Sequence, residues 1–579
     1  MVKLLKHYLK KYSLLVFAVM VCTGIQVFCE LALPKYMADI VDIGLTTGGI
    51  PYILKHGSIM ILMSVGQVGA MLLIGFMSAR ISSAAGMDIR RDIFVKAQDF
   101  ALTDLNRFTV SSMIVRNTND VTVVQNFIVM LLRMVLTVPV ICIGSIIVSF
   151  RINAQLARVI LFAIPILAIF FSCMIFFASR LFVIYRSKLD NLNLLIREHL
   201  SGTRVIRAFV NQKTEGKKFE SGNDEIYRIA LKINRIMSGM RPGMMFVIYL
   251  TTSAVCYVGI NPLREGTLSV GQLMSMISYV TQILMSLSML SFLMIILPRT
   301  QVSAKRINEV LETKTDIASP EVCRKPVKSD GTIEFRNVTF AYPDSNEPVI
   351  KNASFVAEGG KTTAIIGSTG CGKSTLQRLI IRLYDVTDGA VLCDGVDVRD
   401  YDLADLRSRV GYIPQRAVLF TGSVADNIRF GYEEATSDEI KHALEISQAW
   451  DFVEKLENGI DSPVSQGGKN FSGGQKQRLA IARAIVKPCE AIVFDDSFSA
   501  LDYATDAKLR KALSTDNELK KKTKIIIAQR ISTVMNADKI IVLDKGEIVG
   551  EGKHRELLKT CLLYREIAYS QLSEEELGR

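Results

Sequence analysis

Apolar positions fall into two regimes along this chain. Up to about residue 300 they gather in long runs, at about 13–33, 57–79, 134–150, 159–178, 244–260 and 273–297. Most are long enough, or nearly so, to cross a hydrocarbon layer at about 1.5 Å per residue. Six such runs in one half exceed what a soluble core could bury. They predict an all-α domain of six transmembrane helices over residues 1–310. The polar stretches around 80–133 and 179–240 are charged and free of proline, and read as helical extensions of the spans. Residues 1–12, MVKLLKHYLKKY, set apolar and basic positions at helical spacing. They suit a helix lying in the membrane interface, or a basic flank of the first span.

Beyond this half the pattern changes. Residues 311–330 are polar and carry two prolines, which predicts a linker. From 331 to 579, short strand-like runs (IEFRNVTFAY, TTAIIG, AVLCDG, AIVFDD, TKIIIAQ, KIIVLD) alternate with helical segments. Such alternation predicts an α/β domain. The tail from about 553 reads as a terminal helix.

Charge then sets orientation. The 579-residue chain carries a formal net charge of +12. No aromatic-and-basic recognition motif accompanies it, so nucleic acid is not expected as a partner. The positive-inside rule accounts for it better. Lys3, Lys6, Lys10 and Lys11 precede the first run and place the N-terminus in the cytoplasm. Arg90, Arg91, Arg107, Arg180, Arg186, Lys188, Arg204, Arg207, Lys213, Lys217 and Lys218 follow the second and fourth runs. Arg151 and Arg158 flank the short third–fourth turn and fit the rule less well. The ten cysteines show no metal-ligand spacing and read as reduced thiols. The first residues show no cleavable signal pattern.

The chemistry lies in the second half. The strand TTAII runs into Gly367, Ser368, Thr369, Gly370, Cys371, Gly372, Lys373, Ser374 and Thr375. This fits G-x-x-x-x-G-K-[ST] between a strand and a helix, the loop whose backbone N–H groups cradle phosphates. Lys373 would reach the β- and γ-phosphates, and Ser374 would ligate Mg²⁺. Downstream, the apolar run AIVF ends in Asp495 and Asp496, and Asp495 fits the acid that holds Mg²⁺ in such enzymes. The expected fold is therefore a helical membrane domain followed by an α/β P-loop nucleotide-binding domain, with ATP and Mg²⁺ as cofactors.

Between these motifs stand Asn470, Phe471, Ser472, Gly473, Gly474, Gln475 and Arg478. They resemble the signature of the ATP-binding cassette (ABC) transporter family, with Phe where Leu is usual. Further matches follow along the chain. Tyr342 resembles the aromatic residue that stacks on adenine. Gln415 resembles the Q-loop glutamine, which touches Mg²⁺ and faces the membrane domain. The run ending in Asp502 resembles the D-loop. Residues 116–120 and 197–209 resemble cytoplasmic helices of bacterial multidrug-type exporters, so the likeness covers nearly the whole chain. It implies a half-transporter in the plasma membrane, with the N-terminus and the ATP domain cytoplasmic.

Two positions depart from that pattern. The glutamate that in this family normally follows the Mg²⁺-holding aspartate, here Asp495, is Asp496, shorter by about 1.5 Å. The switch histidine is Gln529, which can donate a hydrogen bond but cannot carry a proton. Both face the same γ-phosphate, so the resemblance implies the degenerate-site subunit of a heterodimer. Its partner would be a second half-transporter with the consensus Glu and His. This chain's Ser472 and Gly473 would complete the partner's site. A homodimeric exporter and a mainly regulatory ATP-binding subunit are the alternatives; an importer is disfavoured, since importers usually carry the cassette on a separate chain. Within the spans stand Glu30, Gln67 and Gln282, among Met274, Met276, Met285, Met289 and Met294 in or near the sixth run. They suit amphipathic small molecules, lipids or peptides as substrate. Glu30 alternatively pairs with Lys35.

Overall fold

The apolar runs of the first half fold into long helices: α1 (Val2–Lys10), α2 (Ser13–Asp39), α3 (Gly49–Gln98), α4 (Leu102–Phe108), α5 (Val110–Val115), α6 (Val121–Met130), α7 (Thr137–Ile152), α8 (Ala154–Ser201), α9 (Thr203–Ala208), α10 (Gln212–Arg264) and α11 (Val270–Glu312). This computed structural model describes residues 1–343, 345 and 347–573, and their side chains except those of 290–295. Met294 therefore lies outside the described side chains.

Among the described residues, five helical stretches are long and apolar enough to cross a membrane, against six predicted runs. The difference arises at the start. Ser13–Gln98 is one unbroken helical stretch of 86 residues that holds both of the first two runs. Ile40–Gly48 continues it as a π-helical segment instead of breaking it. α2 and α3 nevertheless pack along each other, so the chain turns back near Gly49, whose φ is 63°.

Side chains set the helix ends. Asn153 leaves helical geometry after α7, and its Oδ1 accepts from Gln155 and Leu156 N–H at 2.9 and 3.2 Å, starting α8. Ser269 and Gln272 cap α11 reciprocally. Asp42 joins that cap by accepting the Gly271 N–H at 2.7 Å and the Ser269 hydroxyl. Proline shapes α2 in a similar way. Pro34 has no N–H, so the Glu30 carbonyl loses its helical donor. The Gln282 amide of α11 donates to that carbonyl at 3.3 Å, and Tyr279 donates to the Leu31 carbonyl at 2.9 Å. The four-residue spacing of Met276, Val280 and Leu284 turns one face of α11 into a core with Leu156, Ile160 and Val255. α1 is held on α3, where Tyr8 donates to Asp92 and Lys11 to Asp88 at 2.9 and 2.8 Å.

Contacts divide the chain into two units. One comprises 1–98 and 111–313, and the other 99–110 and 314–579. α4 thus belongs with the α/β unit, where Leu102 packs against its core and the Ala101 N–H donates to Thr315. In that unit the strands are β1 (Ile333–Phe340), β2 (Ile350–Ala357), β3 (Thr362–Gly367), β4 (Asp388–Cys393), β5 (Val396–Asp397), β6 (Val410–Ile413), β7 (Gly422–Ser423), β8 (Pro463–Val464), β9 (Ala491–Asp495), β10 (Thr523–Ile527), β11 (Lys539–Asp544) and β12 (Glu547–Gly552). An antiparallel sheet runs β2-β1-β4-β5, and a six-stranded sheet runs β12-β11-β3-β10-β9-β6. All pairs of the second sheet are parallel except β11–β12. Its inner strands β3, β10 and β9 are buried along nearly their whole length, as parallel strands covered on both faces require, whereas the antiparallel edge strand β12 alternates exposed and half-buried positions. The tail forms two helices, His554–Thr560 and Leu562–Gln571; residues 574–579 lie outside the described ones.

Candidate functional site

Sheet order gathers the motifs. β10 lies between β3 and β9, with Ile527 opposite both Ile365 and Asp495. The carboxyl ends of three neighbouring parallel strands therefore carry the glycine-rich loop, Asp495–Asp496 and Gln529 to one edge. That edge is the ordinary ligand crevice of such sheets.

The glycine-rich loop links β3 to α12 (Lys373–Ile380). Gly372 sits at φ 104°, a geometry that strains any L side chain, and a Cβ there would also crowd the Val349 carbonyl at 3.0 Å. The buried Lys373 amine donates to the carbonyls of Gly367 and Ser368 at 2.8 and 2.7 Å. Ser374 Oγ donates to Asp495 Oδ1 at 3.2 Å. A hydroxyl beside a buried carboxylate is a hard oxygen pair that suits Mg²⁺, and the curled loop with its lysine suits a polyphosphate. The residues present fit both groups. Tyr342 follows β1, and its hydroxyl lies 3.0 Å from Thr375 Oγ1 and accepts from Arg378 at 3.1 Å. Its ring meets Phe340 and Tyr384 edge-on. The place of Lys373 in the curled loop predicts a simple loss. Lys373→Ala is expected to cut photolabelling of this chain by an azido-ATP at least tenfold. Undiminished labelling would remove Lys373 from the phosphate site.

Asp496, Gln529 and Gln415 form a second cluster. The Gln529 amide donates to Asp496 Oδ2 at 3.0 Å, and the Gln415 amide approaches the same oxygen at 3.5 Å. The Asp496 backbone takes left-handed geometry at φ 44°, with its N–H donated to Ile527 O at 2.8 Å. Burial first, and then the charge of Asp495, push the Asp496 carboxyl above the usual aspartate range. Ser499 Oγ donates to the Asp496 carbonyl at 2.7 Å, and Arg530 donates to the Ser499 carbonyl at 3.3 Å.

The signature residues stand apart from this cluster. Ser472 caps the helix Gly473–Ile485, accepting the Gln475 N–H at 3.3 Å while Gln475 Oε1 accepts the Ser472 N–H at 2.8 Å. Phe471 is a core residue packed edge-on against Phe452, which explains why an aromatic can replace an aliphatic there. A Cβ at Gly473 would meet nothing within 4 Å, and one at Gly474 would meet the Ala500 carbonyl at 3.3 Å. Among the described residues, no hydrogen bond joins Ser472, Gly473, Gly474 or Gln475 to the loop 367–375. Asp502 caps the helix Tyr503–Thr515 through the Thr505 N–H, which is the first cause holding its carboxyl below the usual range.

Four contacts have no signal in the sequence: those of Thr375 and Arg378 to Tyr342, and two of Gln571, whose side chain accepts the Ile531 N–H at 2.8 Å and donates to the Gln529 carbonyl at 2.9 Å. Arg378 and Thr375 are helical neighbours of the lysine, so their facing Tyr342 follows from α12. Nothing in the sequence points from Gln571 to Gln529.

The comparisons agree along the whole chain. Residues 16–287 match the ABC transporter transmembrane region, and residues 350–499 match the ABC transporter family. An uncharacterized ABC transporter ATP-binding protein of Mycobacterium tuberculosis is 38% identical over 579 residues, covering 99% of each chain. An ATP-dependent lipid A-core flippase of Syntrophus aciditrophicus is 30% identical over 511 residues, covering 88% of this chain and 83% of its own. The structure of a bacterial Atm1-family ABC exporter with ATP bound shares the fold, with a TM-score of 0.81 at 24% identity over 98% of this chain and 99% of that one. With its membrane region and its ATPase region on one polypeptide, the chain belongs to the ABC transporter family, as an ATP-hydrolysing half-transporter.

Proposed function

We propose that this chain is the slow-site subunit of a heterodimeric exporter. The observation that carries the proposal is the corner formed by Asp496, Gln529 and Gln415. An aspartate stands where water must be oriented, and a neutral amide at 3.0 Å ties up one of its oxygens. In phosphoryl transfer, positioning and electrostatics supply most of the catalysis. A carboxylate set back by about 1.5 Å loses heavily, since misplacement near 1 Å can cost about 10²-fold. Gln529 can donate to a phosphate oxygen but adds no positive charge.

Binding does not share this weakness. Tyr342 offers a ring for adenine, and residues 367–375 offer N–H groups and the Lys373 amine for phosphates. Mg²⁺, when bound, would neutralise charge between the β- and γ-phosphates, with Ser374, Asp495 and Gln415 as the groups to hold it. Ser472, Gly473, Gly474, Gln475 and Asp502 serve the ATP held by the partner. Their open, self-capped helix start is consistent with a face completed from outside the chain.

In the membrane unit, six crossings follow from counting α2 and α3 separately. The N-terminus and the ATP domain are cytoplasmic, and the membrane is the bacterial plasma membrane. A cavity of about 1020 Å³ lies among α2, α3, α7 and α11, and Glu30, Phe76, Arg133, Gln282, Met285 and Met289 help to line it. Met276 is instead buried in packing and Met274 is exposed. Among the described residues Glu30 has no ion pair with Lys35; the Gln26 and Gln67 amides face its carboxyl group. A mostly apolar wall with few polar groups suits an amphipathic small molecule, lipid or peptide. A lipid agrees with the lipid A-core flippase among the relatives.

The test is partnership. Purified alone, the chain is expected to hydrolyse ATP slowly. Co-expression with a half-transporter carrying the consensus Glu and His should raise turnover at least tenfold. Rapid hydrolysis by the pure homodimer would sink the proposal.

A further inference from the structure

We infer that Gln571, at the end of the last described helix, is a positioning residue for Gln529. A glutamine side chain carries one acceptor and a pair of donors on a planar amide. Here it uses both kinds at once. Its Oε1 accepts the Ile531 N–H at 2.8 Å, and its Nε2 donates to the Gln529 carbonyl at 2.9 Å. The side chain thus pairs with the backbone from 529 to 531 as a neighbouring strand would, across the extended residue Arg530 (φ −98°, ψ 130°).

Both sides of this bracket are anchored. The helix Leu562–Gln571 is seated by Tyr564 and Ala568, both fully buried, and the Tyr564 hydroxyl lies 2.7 Å from His554 Nδ1. On the other side, the Gln529 amide bonds Asp496 Oδ2 at 3.0 Å. A rigid helix therefore fixes the backbone from which the Gln529 side chain reaches the Asp496 carboxylate. β10 ends at Ile527, so from Gln529 onward the sheet no longer holds the chain. The bracket starts where the ladder stops. The chain's C-terminal helix thereby sets the geometry of its hydrolytic corner without touching nucleotide.

The inference rests on the reading of Asp496, Gln529 and Gln415 as that corner, and the experiment separates the two. Full-length Gln571→Ala, Gln571→Glu and Ser570→Ala are purified as the chain alone and as the heterodimer. Turnover of radiolabelled ATP is followed over long incubations, so that slow rates are read. Among the described residues, the Ser570 hydroxyl bonds only within its own helix, to the Ile567 carbonyl, and it is the control. Gln571→Ala loses both bonds. Gln571→Glu keeps the acceptor for Ile531 but sets a carboxylate oxygen against the Gln529 carbonyl. In the chain alone, kcat is expected to fall about three- to tenfold in Ala and further in Glu. KM for ATP and thermal stability should match those of Ser570→Ala. Unchanged kcat in both variants would overturn the inference. So would a kcat loss accompanied by equal losses in KM and stability, because that is a folding effect. In the heterodimer, total ATPase should hardly change. If it falls in parallel with the chain alone, the positioning role stands and the slow-site reading fails.

Discussion

Gly473→Asp is expected to leave the protein folded and its own nucleotide site labelled, and to remove nearly all steady-state ATPase from the heterodimer. The first half follows from space. A Cβ at Gly473 meets nothing within 4 Å in its own chain, and the backbone there has no positive φ. The second half follows from what approaches from outside. In the head-to-tail pairing proposed here, the N–H groups at this helix start face the γ-phosphate of ATP held by the partner. A carboxylate there fills the gap and repels the phosphate. Losing a single positioned donor of this kind costs about 10²–10³ in kcat. Ser472→Ala is expected to act in the same direction. Its own structural cost is only that of an N-cap, about 1 kcal/mol. On the slow-site proposal, Asp496→Asn should reduce the rate less than twofold, because the site it serves would contribute little turnover. Paired variants of the purified heterodimer give the comparison. If Asp496→Asn is as damaging as Gly473→Asp, then Asp496 is a working base and the asymmetry is wrong.

What could be read in advance depended on whether partners are close along the chain. The loop 367–375 is contiguous, and the strand before it and helix after it follow from local pattern. Ser374 and Asp495 meet at 3.2 Å because β3, β10 and β9 are neighbours in a parallel sheet, and the motif pair implies that order. The helix count was harder. Hydropathy marks α2 and α3 as separate runs, but the turn between them keeps helical hydrogen bonding, so the chain shows one stretch where the pattern shows two. The methionines of α11 show a limit of composition. Met285 and Met289, four residues apart, share the cavity face, whereas Met276 turns into the core. Contacts made only by tertiary folding left no trace. Gln282 reaches the carbonyl freed by Pro34 across 252 positions, and Gln571 reaches Gln529 across 42. Neither pair has a spacing rule.

If the slow-site proposal holds, restoring the consensus side chains should make this site fast. The double variant Asp496→Glu, Gln529→His, purified as the chain alone, is expected to hydrolyse ATP at least tenfold faster than the parent. The added methylene advances the carboxylate by about 1.5 Å, which addresses a misplacement of the size that costs about 10²-fold. It also draws the carboxylate away from the position where the amides of Gln529 and Gln415 converge on Oδ2. Histidine at 529 restores a side chain that can be charged near neutral pH. One opposing effect is smaller. Position 496 has φ 44°, which Asp tolerates better than Glu, a backbone penalty on the order of 1 kcal/mol. That penalty lowers stability and leaves most of the rate gain. Each single variant should give less than half of the combined gain on a logarithmic scale, since the two side chains act on the same phosphate and water. The signature residues need no change, because Ser472 and Gln475 already cap their helix. The measurement is steady-state ATPase at saturating Mg-ATP, with Lys373→Ala added to the double variant as the background. If the double variant stays as slow as the parent while still labelling with azido-ATP, the side chains at 496 and 529 do not limit this site.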